Sequence, residues 1–339
     1  MSEITTAEIR EFLKKNAGRT VDLDRIRAEF NIIRGSKSFD AVRNIMYQLA
    51  EGKDRIVKPI GSRSGTYKII NYAEPIRVFE VPRERTPDFP LMFPKDRETE
   101  MEFPFANDWE CKQGDLIIIS GQSDYGKTTV AMNIIAENLD KCPVLMGNEY
   151  TTTDGKPKDR FIDRILAMNW VNWTNGNGED RFELIPVHED FEDNIRPDRI
   201  NVIDWIDLED EPWRIKDINK RMKNAVGKGV VIPVIQKNEG RDAGYGGNPT
   251  RFYADLELLI DRHTAYESRI TVGKAKGGRG ISGRSWAYSI TNQGTSIINV
   301  REVVKCHQCH GFKYIKGKGK CDVCDAVGWL NKGGIYEGE

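Results

Sequence analysis

Two groups of residues in this 339-residue chain have types and spacings that do chemistry. The first is Gly121-Gln122-Ser123-Asp124-Tyr125-Gly126-Lys127-Thr128-Thr129, which fits the pattern GxxxxGK[ST]. Glycines at those positions let a backbone wrap around phosphates. A lysine next to the second glycine reaches the β- and γ-phosphates, and the following hydroxyl takes Mg²⁺. The second is Cys306-His307-Gln308-Cys309 and, eleven residues on, Cys321-Asp322-Val323-Cys324. Paired CxxC knuckles put four thiolates around one tetrahedral metal, most often zinc, with no open position for catalysis. His307 and His310 offer alternative ligands. One CxxC alone could serve redox chemistry instead.

The glycine–lysine loop needs a strand before it and a helix after it. Asp115-Leu116-Ile117-Ile118-Ile119-Ser120 reads as a buried strand, and VAMNIIAENL after the loop reads as a helix. The helix N-terminus adds backbone donors and a favourable dipole for anions. ATP with Mg²⁺ is the expected ligand. A second metal-side carboxylate is expected from Asp204, which closes the apolar run Arg199–Asp204; Asp207 and Glu209 follow as weaker candidates. Pro143-Val144-Leu145-Met146-Gly147-Asn148-Glu149 is another strand running into an acid. A carboxylate there can polarise an attacking water. Gly229–Gln236 is a further buried strand, ending in an amide. Lys237–Gly247 follows as a glycine-rich loop with Arg241 and Tyr245, which could track a single strand or simply connect. Arg269–Val272 continues into Lys274, Lys276 and Arg279.

Over about residues 99–300 this order of elements resembles the RecA/DnaB-like ATPases. The resemblance implies a RecA-like α/β core in which Glu149 activates water and Gln236 senses the γ-phosphate. It also implies Lys127 and Thr128 at the phosphates and metal, with Asp204 as the acid that holds Mg²⁺ through water. Arg241 and Tyr245 would then lie on a DNA-binding loop. Lys274, Lys276 and Arg279 would be fingers completing a neighbour's site or contacting DNA, so the active form would be a ring or filament. The chain departs from replicative helicases in lacking their helical N-terminal domain. It departs from recombinases in carrying a different first segment and the cysteine module. The combination is similar to phage-encoded or mobile-element DNA-replication ATPases.

That first segment, 1–72, holds 14 Lys and Arg against 9 Asp and Glu, about +5, although the whole chain is at −1. Ile9, Phe12 and Leu13 mark one helix. A second is expected at Leu23–Phe30 behind Asp22 or Asp24, and a third at Phe39–Glu51 carries Val42, Ile45, Met46 and Leu49 on one stripe. RIVKPIGSRSGTYKII then reads as a hairpin. Three helices and a basic hairpin resemble a winged helix-turn-helix domain, which implies Arg43 and Gln48 facing DNA from the third helix and Arg63 and Lys68 from the wing. Such domains also bind proteins. Residues 73–98 hold five prolines and read as a linker, or as an arm packed on a neighbour. Residues 301–339 hold the cysteine module and a glycine-rich tail, and GFKYIKGKGK between the knuckles would suit nucleic acid or a solvated surface equally. No run of eighteen apolar residues and no secretion signal is present, so a cytoplasmic setting is expected.

The leading expectation is an ATP-hydrolysing, DNA-acting motor, a helicase in replication or recombination. A DNA-bound ATP switch and a recombination mediator are the competing readings.

Overall fold

The computed structural model describes residues 4–51, 55–61, 65–71, 85–147, 149–152, 154–208, 211–238, 243–278 and 280–333. The chain divides into two compact units, Met1–Glu84 and Arg85–Glu339.

The smaller unit opens with α1 (Thr6–Lys15), whose first turn is closed by a reciprocal Thr5–Glu8 capping box. Such a cap stabilises a helix by about 1 kcal/mol. β1 (Thr20–Asp22) follows, then α2 (Leu23–Glu29), with Asp22 accepting from the Arg25 N–H as its N-cap. α3 (Lys37–Glu51) buries the expected stripe of Val42, Ile45, Met46 and Leu49. β2 (Val57–Pro59) and β3 (Thr66–Ile69) complete an antiparallel sheet ordered β1-β3-β2. β1 escapes a sequence reading because only Val21 is apolar in its three residues. Ile9, Leu13, Ile26, Met46 and Ile69 form the core.

The larger unit is a mixed α/β body around one ten-stranded sheet. In chain order its elements are β4 (Ile117–Gly121), α4 (Lys127–Glu137), β5 (Val144–Met146), α5 (Asp159–Ala167) and β6 (Glu183–Ile185). Next come β7 (Ile200–Ile206), α6 (Ile215–Ala225), β8 (Val230–Gln236), β9 (Leu256–Arg262) and β10 (Glu267–Ala275). β11 (Ser285–Thr291), β12 (Ser296–Lys305), β13 (Tyr314–Ile315), β14 (Gly319–Lys320) and β15 (Trp329–Asn331) end the chain's described elements. The sheet order is β15-β12-β11-β10-β9-β4-β8-β7-β5-β6. From β9 to β6 every pairing is parallel; from β9 outward to β15 every pairing is antiparallel.

Burial on both faces explains the apolar runs of the parallel half. Ile117 and Ile119 pack with α4 on one face, while Leu116 and Ile118 pack with Ile215 and Met222 of α6 on the other. The antiparallel half is covered by an aromatic layer: Phe103 meets Tyr288 at 5.4 Å and Phe105 meets Trp286 at 5.5 Å between ring centroids. Phe93 joins this layer and is 2% exposed. The proline-rich stretch read as linker over 73–98 is therefore, from Arg85 on, part of this unit. Its Met92 exchanges hydrogen bonds with Asn138, and Arg97 pairs with Glu137 and stacks on Trp170. The cysteine segment is also joined to the sheet, because β15 pairs with the end of β12. Among the described residues no helix is long and apolar enough to cross a membrane.

Candidate nucleotide and metal sites

In a parallel sheet, ligand sites gather beyond the carboxyl ends of the strands. Here β4, β5, β7 and β8 bring the sequence candidates together at that end. β4 runs into the loop, and Gly126 takes φ +91° as the residue before α4. The φ of +91° strains any other L-residue at Gly126, and a Cβ there would also stand 2.3 Å from Ile290 Cδ1 of β11. Gln122, Ser123 and Asp124 line the outer side of the loop, and Tyr125 packs against the core. Lys127 is 8% exposed and its Nζ donates to the Gln122 carbonyl at 2.7 Å. Burial lowers its pKa, and the nearby Asp204, Glu149 and Asp124 charges oppose that.

Asp204 is fully buried. Strand β7 continues two residues past it, rather than ending there, with a register shift against β8 between Ile203 and Ile206. Gly147, at φ +128°, makes the approach possible, since a Cβ there would stand 2.1 Å from the Asp204 carbonyl oxygen. That contact carries Glu149 and Tyr150 over the end of β7. Tyr150, 2% exposed, donates its hydroxyl to Asp204 Oδ2. Asp204 Oδ1 has no hydrogen-bond partner. Burial raises the Asp204 pKa, while the Tyr150 and Thr128 hydroxyls lower it; Glu149 raises it and Lys127 lowers it. A buried carboxylate oxygen without a partner, beside the Thr128 hydroxyl, supplies oxygen ligands of the kind a hydrated Mg²⁺ takes.

Glu149 is exposed, and Trp205 Nε1 donates to its Oε1 at 3.2 Å. Gln236, the last residue of β8, donates from Nε2 to Ser123 Oγ at 2.6 Å, which ties the strand end to the loop. Tyr150 and Trp205 were not picked out by the sequence reasoning. Each directly follows a chemically singled-out acid, and that adjacency was the signal available.

Other candidates stand elsewhere. The Thr129 hydroxyl donates to the Gly294 carbonyl at 2.6 Å and so faces the β11–β12 turn rather than the loop. Lys274 pairs with Glu257, and β9 runs beside β4 with Leu256 opposite Ile117 and Ile260 opposite Gly121. The lysine therefore sits about 10 Å back along the strands from the loop, at the opposite end of the sheet. Its Nζ donates to the Arg251 carbonyl, and Lys276 pairs with Asp255. Neither belongs to this chain's own nucleotide site. Tyr245 is half-buried against the core formed with α6, and its N–H donates to the Gln236 carbonyl, so it is not a free stacking platform. Asp207 is exposed just past β7. Arg241, Arg279 and Glu209 lie outside the described residues, as does Arg63 in the smaller unit. There, Arg43 and Gln48 are exposed on α3, with Arg43 3.7 Å from Asp40, and Lys68 is exposed on β3.

The four cysteines form one buried cluster, their sulfurs all within 4.8 Å. Cys306–Cys321 and Cys309–Cys324 are separated by 3.8 and 3.6 Å between sulfurs. A tetrahedron of thiolates with Zn–S bonds of about 2.3 Å has edges of about 3.8 Å. The cluster can hold a metal of that size. His307 and His310 are exposed and stand outside it.

Comparison with protein-family models and with curated proteins returned no match.

Proposed function

We propose that the chain is an ATP-hydrolysing, DNA-acting motor of the RecA/DnaB-like class, active as a homo-oligomer. The observation that carries this reading is the meeting of Lys127, Thr128, Asp204, Glu149 and Gln236 at one end of a parallel sheet. The loop backbone and the N-terminus of α4 receive the phosphates of ATP. Lys127, held near them by the Gln122 carbonyl, supplies the cation. Mg²⁺, when bound, neutralises charge on the β- and γ-phosphates. Thr128 and the free oxygen of Asp204 are the groups for it. Glu149, oriented by the Trp205 indole, holds the attacking water and takes its proton. Gln236 reads the outermost phosphate, and its bond to Ser123 links the end of β8 to the phosphate loop after β4.

The smaller unit, three helices and a three-stranded sheet with exposed Arg43, Gln48 and Lys68, supports a winged helix that docks duplex DNA. Lys274 and Lys276, remote from their own loop, suit a neighbouring subunit's site or a contact with DNA. The cysteine cluster suits structural zinc.

The test is steady-state ATP hydrolysis with and without single-stranded DNA, for wild type and Lys127→Ala. Turnover that DNA stimulates and the variant lacks is the expected result. DNA-indifferent turnover would move the reading to a DNA-bound switch, and equal turnover in Lys127→Ala would overturn the site.

A further inference from the structure

Between Cys309 and Cys321 the chain makes a small hairpin in which Ile315 alone packs against the cysteine cluster. β13 pairs with β14, so that Tyr314 stands opposite Lys320 and Ile315 opposite Gly319. Ile315 turns inward against the cysteine cluster. The other side chains turn out: Phe312 is 79% exposed and Tyr314 is 58% exposed. The same unit buries Phe93, Phe103, Phe105, Trp286 and Tyr288 almost completely; Trp213, Phe252 and Tyr266 are exposed one at a time, whereas Phe312 and Tyr314 stand two residues apart on one hairpin.

Their surroundings are basic. From Lys305 to Lys320 the chain has five lysines and no acid. Lys313, Lys316, Lys318 and Lys320 are exposed and make no ion pair among the described residues. The surface is also held in shape. The Phe312 N–H donates to the Cys309 carbonyl and the Cys321 N–H to the Lys313 carbonyl, which ties both stems of the hairpin to cysteines of the cluster. A metal in the cluster therefore fixes the aromatics in place before any partner arrives.

We propose that this hairpin is a docking surface for single-stranded nucleic acid, with Phe312 and Tyr314 stacking on bases and Lys313, Lys316, Lys318 and Lys320 meeting the phosphates. Two flat rings next to unpaired lysines match unpaired bases on a phosphate backbone. A duplex, with its bases stacked away, would use the lysines and leave the rings idle. An acidic protein segment would do the same. The proposal takes its partner class from the DNA-acting reading but does not depend on ATP hydrolysis. β12 separates the hairpin from the Gly294 turn at α4 by ten residues, about 30 Å of strand.

The test uses the full-length zinc-loaded protein and a fluorescein-labelled oligothymidylate of about twenty nucleotides. Phe312→Ala/Tyr314→Ala should weaken binding by roughly ten-fold or more, as loss of base stacking does. Lys316→Gln/Lys318→Gln should lower the slope of log affinity against log salt by about 1.4, two phosphates at about 0.7 each. Zinc content equal to wild type shows that the module is intact in each variant, and binding measured without nucleotide separates this surface from the nucleotide site. Unchanged affinity in the aromatic variant, at full zinc content, overturns the proposal. So does poly-glutamate competing as well as the oligonucleotide, because the surface would then be only a polycation.

Discussion

Tyr150→Phe isolates one hydrogen bond at the proposed metal site. The ring stays packed, since its edge-to-face contact with Phe161 at 4.9 Å needs no hydroxyl. What goes is the donor to Asp204 Oδ2, in a place where water cannot substitute, because the carboxylate is fully buried. A hydrogen bond to a charged group contributes about 1.5–3 kcal/mol. At about 1.4 kcal/mol per ten-fold change, that is roughly 10- to 150-fold in any equilibrium that requires Asp204 ionised. Tyr150 lowers the Asp204 pKa against the rise caused by burial. Removing the donor lets the pKa climb further, because burial is then opposed by one hydroxyl fewer. Activity that needs the carboxylate is then lost at a higher pH as the solution is acidified. The assay is ATP turnover against Mg²⁺ concentration at a series of pH values. Half-activation by Mg²⁺ should rise at least ten-fold at neutral pH, and the acid limb should move upward, with turnover at saturating Mg²⁺ and high pH close to wild type. Coincident Mg²⁺ curves and acid limbs would refute the assignment of Asp204 as the metal-side acid.

The same buried charge has an opposite effect on stability. A folded-state pKa raised above the unfolded value means that ionisation costs stability above that pKa, so Asp204→Asn should raise the melting temperature at neutral pH and abolish Mg²⁺-dependent turnover. A lower melting temperature would mean the carboxylate is structurally required. Glu149→Gln should keep ATP binding but slow hydrolysis by about 10²–10⁴-fold, measured in single-turnover experiments; lost binding would remove Glu149 from the role of base. His263 is 6% exposed, and burial, with Arg269, Arg301 and Lys313 nearby, pushes its pKa down to about 4 against the pull of Glu267. The fold holds it neutral, so its contribution is complete above pH 6.5 and is lost as pH falls toward 4. About 3 kcal/mol should disappear over that window, as read by urea denaturation, and His263→Gln should flatten the dependence.

How much could be read in advance follows burial and range. β4, β7 and β8 are buried on both faces and appear as continuous apolar runs, while the glycine–lysine loop and the CxxC pairs are local patterns. The antiparallel strands β11 (SWAYSIT) and β12 (SIINVREVVK) mix apolar with polar and charged residues without a clean period of two, so no compact signal distinguishes them from loop. β6, three half-buried residues at the sheet edge, is equally faint. It places an extra strand between the one leading to Glu149 and the one carrying Asp204. The fate of Lys274 is a matter of register: its pairing with Glu257 decides which end of the sheet it occupies, and register is set by partners far away in sequence. The Tyr150–Asp204 bond depends on Gly147 approaching the Asp204 backbone, a contact between residues 57 positions apart.

β15 has so far been the strand that joins the cysteine segment to the sheet. It is also the outermost strand, three residues long, with Arg269 lying 4.0 Å over the face of its Trp329. Beneath it is β12, whose last three residues, Val303–Lys305, would otherwise present open backbone donors and acceptors. Open edges recruit strands from other molecules. With a metal bound, the cysteine cluster would guard that end of the sheet's rim as well as clasp its own hairpin. Chelation should do more than loosen a tail: the metal-free chain should self-associate, with light scattering rising as zinc leaves and an added β-structure signal. A metal-free chain that remains monomeric would show that β15 holds the rim without help.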